Sequence, residues 1–194
     1  WRCREGLRRS PLSQHVLPDG GFEKSANQRS TQWRLQEVPS LDEVKMSARR
    51  EQGGAHSGKQ SLCLEIKPKY PKNAPAALER SFIALHSPAV KLTPGTLVRI
   101  TVWAKLKNGV SGSVDGAMIY DSAGGEPLAV RMQSGHTKWT RYTLFRRVPA
   151  SGTIHVTLAL TGMGKVYFDD VSIEPLRSTT SAMAPRPAPE KSRR

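Results

Sequence analysis

Apolar residues recur at every second position in several short runs of this chain, and the runs are bounded by glycine, proline, asparagine and aspartate. SLCLEIK (61–67) sets Leu62, Leu64 and Ile66 against Cys63 and Glu65. LVRITVWAKLK (97–107) sets Val98, Ile100, Val102, Ala104 and Leu106 against Arg99, Thr101, Trp103 and Lys105. TIHVTLALT (153–161) sets Ile154, Val156, Leu158 and Leu160 against His155, Thr157 and Ala159. A period of two is the mark of a strand with one packed face. Further strands are predicted in HVLPDGGFE around residue 15 and in TQWRLQEV, ALERSFIAL, VDGAMIYD, YTLFRRV and VYFDDVSI. TPGT, KNGVSG, DSAGGEP, PASG and TGMGK supply the residues that tight reversals need. No core segment carries a helical period, and about nine strands with no helices between them predict an all-β, antiparallel β-sandwich.

One strand raises a chemical question. VYFDDVSIEP (166–175) places two adjacent carboxylates, Asp169 and Asp170, among apolar residues. Strict alternation puts Tyr167, Asp169, Val171 and Ile173 on one side and Phe168, Asp170 and Ser172 on the other, so one aspartate faces the packed side. A buried carboxylate needs a partner, because isolated burial costs several kcal/mol or forces protonation. The partner is a basic side chain, a set of backbone N–H groups, or a metal ion.

Composition narrows the setting. With 194 residues, 37% of them apolar, the chain suits one globular domain with looser ends. Its apolar runs are strand-sized, far short of the roughly 20 residues of a membrane-spanning helix. The net charge is +14, of which residues 1–14 contribute +3 and 177–194 contribute +4, leaving +7 over the other 162 residues. Basic chains attract nucleic acid through counterion release, but these charges form no dense run and do not interleave with stacking aromatics as single-strand binders require. They read as solubilising charge, with specific nucleic-acid recognition not expected. Residues 1–14 and the Pro/Ala/basic tail 177–194 read as flexible flanks of a folded unit at 15–176. Cys3 and Cys63 have no CxxC spacing, which removes a zinc-site signal and leaves either two thiols or one disulfide. The chain opens on Trp1 and is read as part of a longer one.

The ordered set PDGGFE (18–23), Trp33, AHSGKQSLCL (55–64), SPAVKLTPGTLVRITVWAKLK (87–107), W-x-x-Y (139–142), VPASGTIHVTLAL (148–160) and VYFDDVSIEP carries a resemblance. It resembles the jelly-roll carbohydrate-binding modules that accompany xylanases and cellulases and, more broadly, the galactose-binding-like β-sandwiches. The resemblance covers about residues 15–176, and no single motif in it is specific alone. It implies a structural Ca²⁺ where the N- and C-terminal strands meet. By position, Glu23 and Asp169 are the implied ligands, completed by main-chain oxygens near Gly21 and in the HSGK turn at Lys59, a donor set suited to a hard cation. The reading without a metal has Asp169 capping backbone N–H groups or pairing with Lys or Arg.

The same resemblance implies a polysaccharide ligand on a concave sheet lined by the strand 97–107. Rings stack on the apolar faces of sugars while polar groups fix the hydroxyls. Trp103 falls on the non-core face with Arg99, Thr101 and Lys105, and Tyr120 is expected to flank the groove, with Asp115, Arg131 and Gln133 as polar contacts. The alternative is a Trp103 covered by a loop and structural. Trp33, Trp139 and Tyr142 are expected to pack. No enzyme signature is present: the sequence holds no GxSxG, HExxH, phosphate-binding glycine loop or GxGxxG, and its five histidines are scattered. The chain therefore reads as a non-catalytic glycan-binding or accessory module within a larger, exported or cell-surface protein. A structural or protein-interaction sandwich is the second reading, and a non-specific polyanion binder the third.

Overall fold

The computed structural model of the protein describes residues 7–9, 17–24, 32–38, 43–79 and 81–178. Within them lie thirteen strands: β1 (Leu7–Arg9), β2 (Arg34–Val38), β3 (Val44–Gln52), β4 (Gln60–Pro68), β5 (Phe82–His86), β6 (Val90–Lys91), β7 (Leu97–Leu106), β8 (Ala117–Asp121), β9 (Val130–Met132), β10 (His136–Arg147), β11 (Thr153–Ile154), β12 (Val156–Leu160) and β13 (Gly164–Ser178). Two short 3-10 turns, Pro71–Asn73 and Glu126–Leu128, are the helical elements among the described residues. No helix of the described residues is long and apolar enough to cross a membrane.

Two antiparallel sheets face each other. The first has the order β10-β7-β13-β4-β3, with β1 added at the end of β13, and the second has the order β2-β5-β12-β8-β9. β6 and β11 form a separate two-stranded ribbon. The predicted alternation is visible in β7, where Val98, Ile100, Val102, Ala104 and Leu106 are buried and the residues between them are half-exposed. Their inward side chains meet Leu62, Leu64, Ile66, Val166, Phe168 and Ile173 of the first sheet and Ile83, Leu85, Ile119, Val156, Leu158 and Leu160 of the second in one apolar core. Each such side chain removed from water contributes about 1.5–3 kcal/mol before entropy is counted. An ion pair also joins the layers: Arg146 on β10 puts Nε 2.8 Å from Oδ2 of Asp121, the buried last residue of β8. Oδ1 of Asp121 accepts the N–H groups of Ala123 and Gly124, so the carboxylate also folds the turn that follows it.

The structure departs from the sequence reading in four places. PDGGFE is a turn, not a strand. β3 was absent from the predicted set, because an edge strand with Val44 as its buried residue has little alternation to display. β1 lies inside the segment expected to be a flexible flank, and pairs through Leu7 with Ser178, just beyond the expected boundary at 176. Backbone pairing of this kind needs no apolar pattern. Finally, β13 does not alternate strictly. Asp169 pairs with Trp103 but the next partners are Ser172 and Thr101, so one residue is extra, and Asp170 holds φ at +45°. This β-bulge reverses the side-chain parity: Val166 and Phe168 face the core before it, Val171 and Ile173 after it. Neither aspartate enters the apolar core, and the two apolar halves of the strand both do.

Candidate functional site

The bulge answers the question posed by the paired carboxylates. Asp169 is fully buried, yet on the outer face of the first sheet, because the loop between β3 and β4 (residues 53–59) lies over it. Its Oδ2 accepts the N–H groups of His56 at 2.8 Å and Ser57 at 3.2 Å, and its Oδ1 accepts that of Asp170 at 2.8 Å. Asp170 holds the same loop by its side chains, with Oδ2 2.5 Å from Nδ1 of His56 and Oδ1 accepting the Ser57 hydroxyl at 2.7 Å. Burial is the main cause that raises the pKa of Asp169, opposed by these amide hydrogen bonds.

The loop in turn covers Trp103. The His56 ring stacks on the indole at a centroid distance of 3.6 Å and an interplanar angle of 19°, and meets Trp139 edge-on at 5.9 Å. Trp139 Nε1 and Lys105 Nζ both donate to the Gly54 carbonyl, at 3.1 and 3.0 Å. Lys105 also sits 4.6 Å above the Trp139 ring and 4.9 Å from that of Tyr167, a cation–π arrangement. Arg99 is paired with Glu174 of β13. Three of the residues expected to hold a ligand, Trp103, Arg99 and Lys105, are therefore engaged within the protein. Trp139, expected to pack at a strand start, is part of this loop clamp. Trp33 does pack, 5.1 Å from the ring of Phe22 with Nε1 donating to Pro18 O at 3.1 Å, and Tyr142 packs against the core.

Tyr120 is elsewhere. It lies on β8 in the second sheet, so the groove expected to combine it with Trp103 is corrected: the two rings belong to opposite faces of the sandwich. The reason is topological, since β7 and β8 are consecutive in sequence and cross from one sheet to the other. On the outer face of the second sheet, register places Gln36, Ala84, Ala159, Met118 and Arg131 in line across all five strands. Ala84, Ala159 and Met118 form an apolar floor, and Phe82, Tyr120 and Ala129 pack around it. Beside this lane runs a polar row, Arg34, His86, Thr157 and Tyr120. His86 Nε2 lies 2.9 Å from Gln36 Oε1 and its Nδ1 lies 3.0 Å from the Thr157 hydroxyl. Burial first, then the Arg34 charge, lowers the pKa of His86, and the same two causes act on His155. Burial raises the pKa of Tyr120. Arg131 closes one end of the lane, donating to Asp115 Oδ1 at 2.7 Å and Glu126 O at 2.9 Å, while Gln133 donates to Val114 O. The sequence carried one signal for this floor: alanine at the outward positions 84 and 159, where a solvent-facing strand ordinarily shows polar or larger residues.

The implied Ca²⁺ shell fits these residues poorly. Glu23 Oε1 accepts the N–H groups of Lys59 and Gln60 at 2.8 and 2.9 Å, and both oxygens of Asp169 accept amides. Lys59 O accepts the Gly53 N–H at 3.3 Å. Among the described residues no group of three or more His, Cys, Asp or Glu side chains is arranged to hold an ion, although Asp169, Asp170 and Glu23 all come within about 4 Å of the place a Cβ on Gly21 would take. Cys63 is a free, buried thiol, and Cys3 lies outside the described residues.

No family model matches the chain, and no curated protein matches it significantly. Solved structures do. A family 61 carbohydrate-binding module, solved in complex with β-1,4-galactotriose, shares 18% identity at TM-score 0.55 over 84% of this chain and 99% of that one. The enzymatically active domain of bacteriophage CBA120 tailspike protein 4 shares 14% identity at TM-score 0.55 over 83% of this chain and 21% of that one. A family 4 carbohydrate-binding module shares 16% identity at TM-score 0.51 over 82% and 99%. At these identities the likeness establishes the fold, a jelly-roll β-sandwich of the carbohydrate-binding-module type.

Proposed function

We propose that the protein is a non-catalytic glycan-binding module and that its ligand lies across the outer face of the β2-β5-β12-β8-β9 sheet. The observation that carries this reading is a pair of half-exposed rings, Phe82 and Tyr120, packed over the buried Ala84, Ala159 and Met118, with Gln36 and Arg131 at the two ends of the row. Such a surface offers what a sugar chain requires: ring faces for its C–H patches and fixed polar groups at the margins for its hydroxyls. Five strands span four inter-strand gaps, roughly 19 Å, which suits an oligosaccharide better than a single sugar. The galactotriose complex of one fold relative supplies a first probe. Such a module would serve within a larger exported or cell-surface protein.

A structural or protein-interaction sandwich is the second reading, favoured by the covered Trp103. Affinity electrophoresis against soluble galactan, xylan, mannan and glucan gels separates the two. Retardation of the wild type is expected on at least one gel, lost in Tyr120→Ala and kept in a folded Trp103→Ala. No retardation on any gel overturns the glycan reading.

A further inference from the structure

The N-terminal turn and β13 meet at a seam where backbone fits against backbone. Val171 N–H donates to Gly20 O at 2.9 Å, and a Cβ on Gly20 would lie 1.9 Å from Val171 O, so glycine is required there. On the other side of this turn Asp19 is almost entirely enclosed, with its side chain 2% exposed. Its Oδ1 accepts the Lys24 N–H at 3.0 Å, and its Oδ2 is held by Arg50 Nη2 at 2.7 Å. The second fork of the same guanidinium, Nη1, donates to Phe22 O at 3.0 Å. Arg50 projects from edge strand β3, which is far from this turn in sequence, and thereby ties the turn to the first sheet.

We propose that Arg50 supplies the positive charge at this seam and that the protein closes it without a divalent ion. A Ca²⁺ shell needs six to eight oxygens turned toward one point. Here these oxygens are turned toward the protein's own polar groups: Phe22 O and Asp19 toward Arg50, Gly20 O toward Val171, Glu23 toward Lys59 and Gln60, Asp169 toward the amides of His56, Ser57 and Asp170, and Asp170 toward the His56 ring and the Ser57 hydroxyl. A guanidinium carries fixed, directed donors and stays charged at every working pH, so it neutralises a buried carboxylate without metal supply. This inference is independent of where, or whether, a glycan binds.

The test uses the full chain and follows its melting temperature after exhaustive dialysis against EDTA and again with added CaCl₂. No change between the two states is expected. Arg50→Met is expected to melt roughly 6–20 °C lower in both states, the range for a buried pair broken on one side in a chain of this size. A wild type that loses melting temperature on chelation, or gains it saturably with Ca²⁺, overturns the proposal. So does an Arg50→Met variant that melts with the wild type. If Arg50→Met fails to fold, the wild-type chelation arm still decides.

Discussion

Asp169 accepts three backbone N–H groups from a fully buried position, so its loss is more than the loss of a charge. Asp169→Ala leaves those donors unpaired, at about 1–3 kcal/mol each in the worst case, and is expected to cost about 3 kcal/mol or more in urea unfolding. Asp169→Asn, which keeps one of the two accepting oxygens and can still take the His56 and Ser57 amides on it, is expected to cost less. His86 and His155 give a pH dependence of definite sign. Both have pKa values held below the ordinary 6.5 by burial and then by Arg34, so the unfolded chain binds more protons than the fold as pH drops past 6.5. Stability is then fully present above that pH and declines below it, toward the depressed values. Glu51 and Glu65, whose pKa values lie below 4.5, lose their contribution only at lower pH. The urea midpoint is therefore expected to fall between pH 7.5 and 5.5, with a smaller fall in a His86→Asn, His155→Asn double variant. Cys63, whose pKa burial pushes up to about 12, is expected to resist Ellman's reagent at pH 8 until denaturant is added.

At the scale of elements, the long alternating strands β4, β7 and β12 were legible because apolar burial imposes a period on sequence, and one face of each is core. β3 was not legible, since its outward Arg49 is bound to Glu51 and Glu65 and its inward Arg50 to Asp19, and ion pairs leave no period. The bulge in β13 was hidden for a related reason: DD is compatible with either parity, and only the partners at Trp103 and Thr101 reveal the extra residue. Loop 53–59 shows the same limit. It joins neighbouring strands, yet its structure is set by residues more than 100 positions away, Asp169 and Asp170. Hydrogen exchange is expected to find the His56 and Ser57 amides protected despite their place in a loop, and to find both released in Asp169→Ala. Unprotected amides in the wild type would show that the clamp does not hold in solution.

The whole molecule presents two outer faces with different characters. That of the first sheet is occupied by the protein's own loop and ion pairs, with the Trp103 indole stacked beneath the His56 ring. That of the second sheet sets Phe82 and Tyr120 over a buried floor, and its meaning depends on Ala84, Ala159 and Met118 being brought into line from three separate stretches of chain. Tyr120 was expected beside Trp103, and only the strand order and register place it on the other sheet with Phe82 and His86 as neighbours. The most direct measurement is a two-dimensional ¹H–¹⁵N NMR titration of the protein with oligosaccharides of galactan, xylan and cellulose. The expected result is a set of saturable shifts centred on Phe82, His86, Met118, Tyr120 and Arg131. Shifts centred on His56, Trp103 and Trp139, or none with any of the sugars, would contradict recognition on the second sheet.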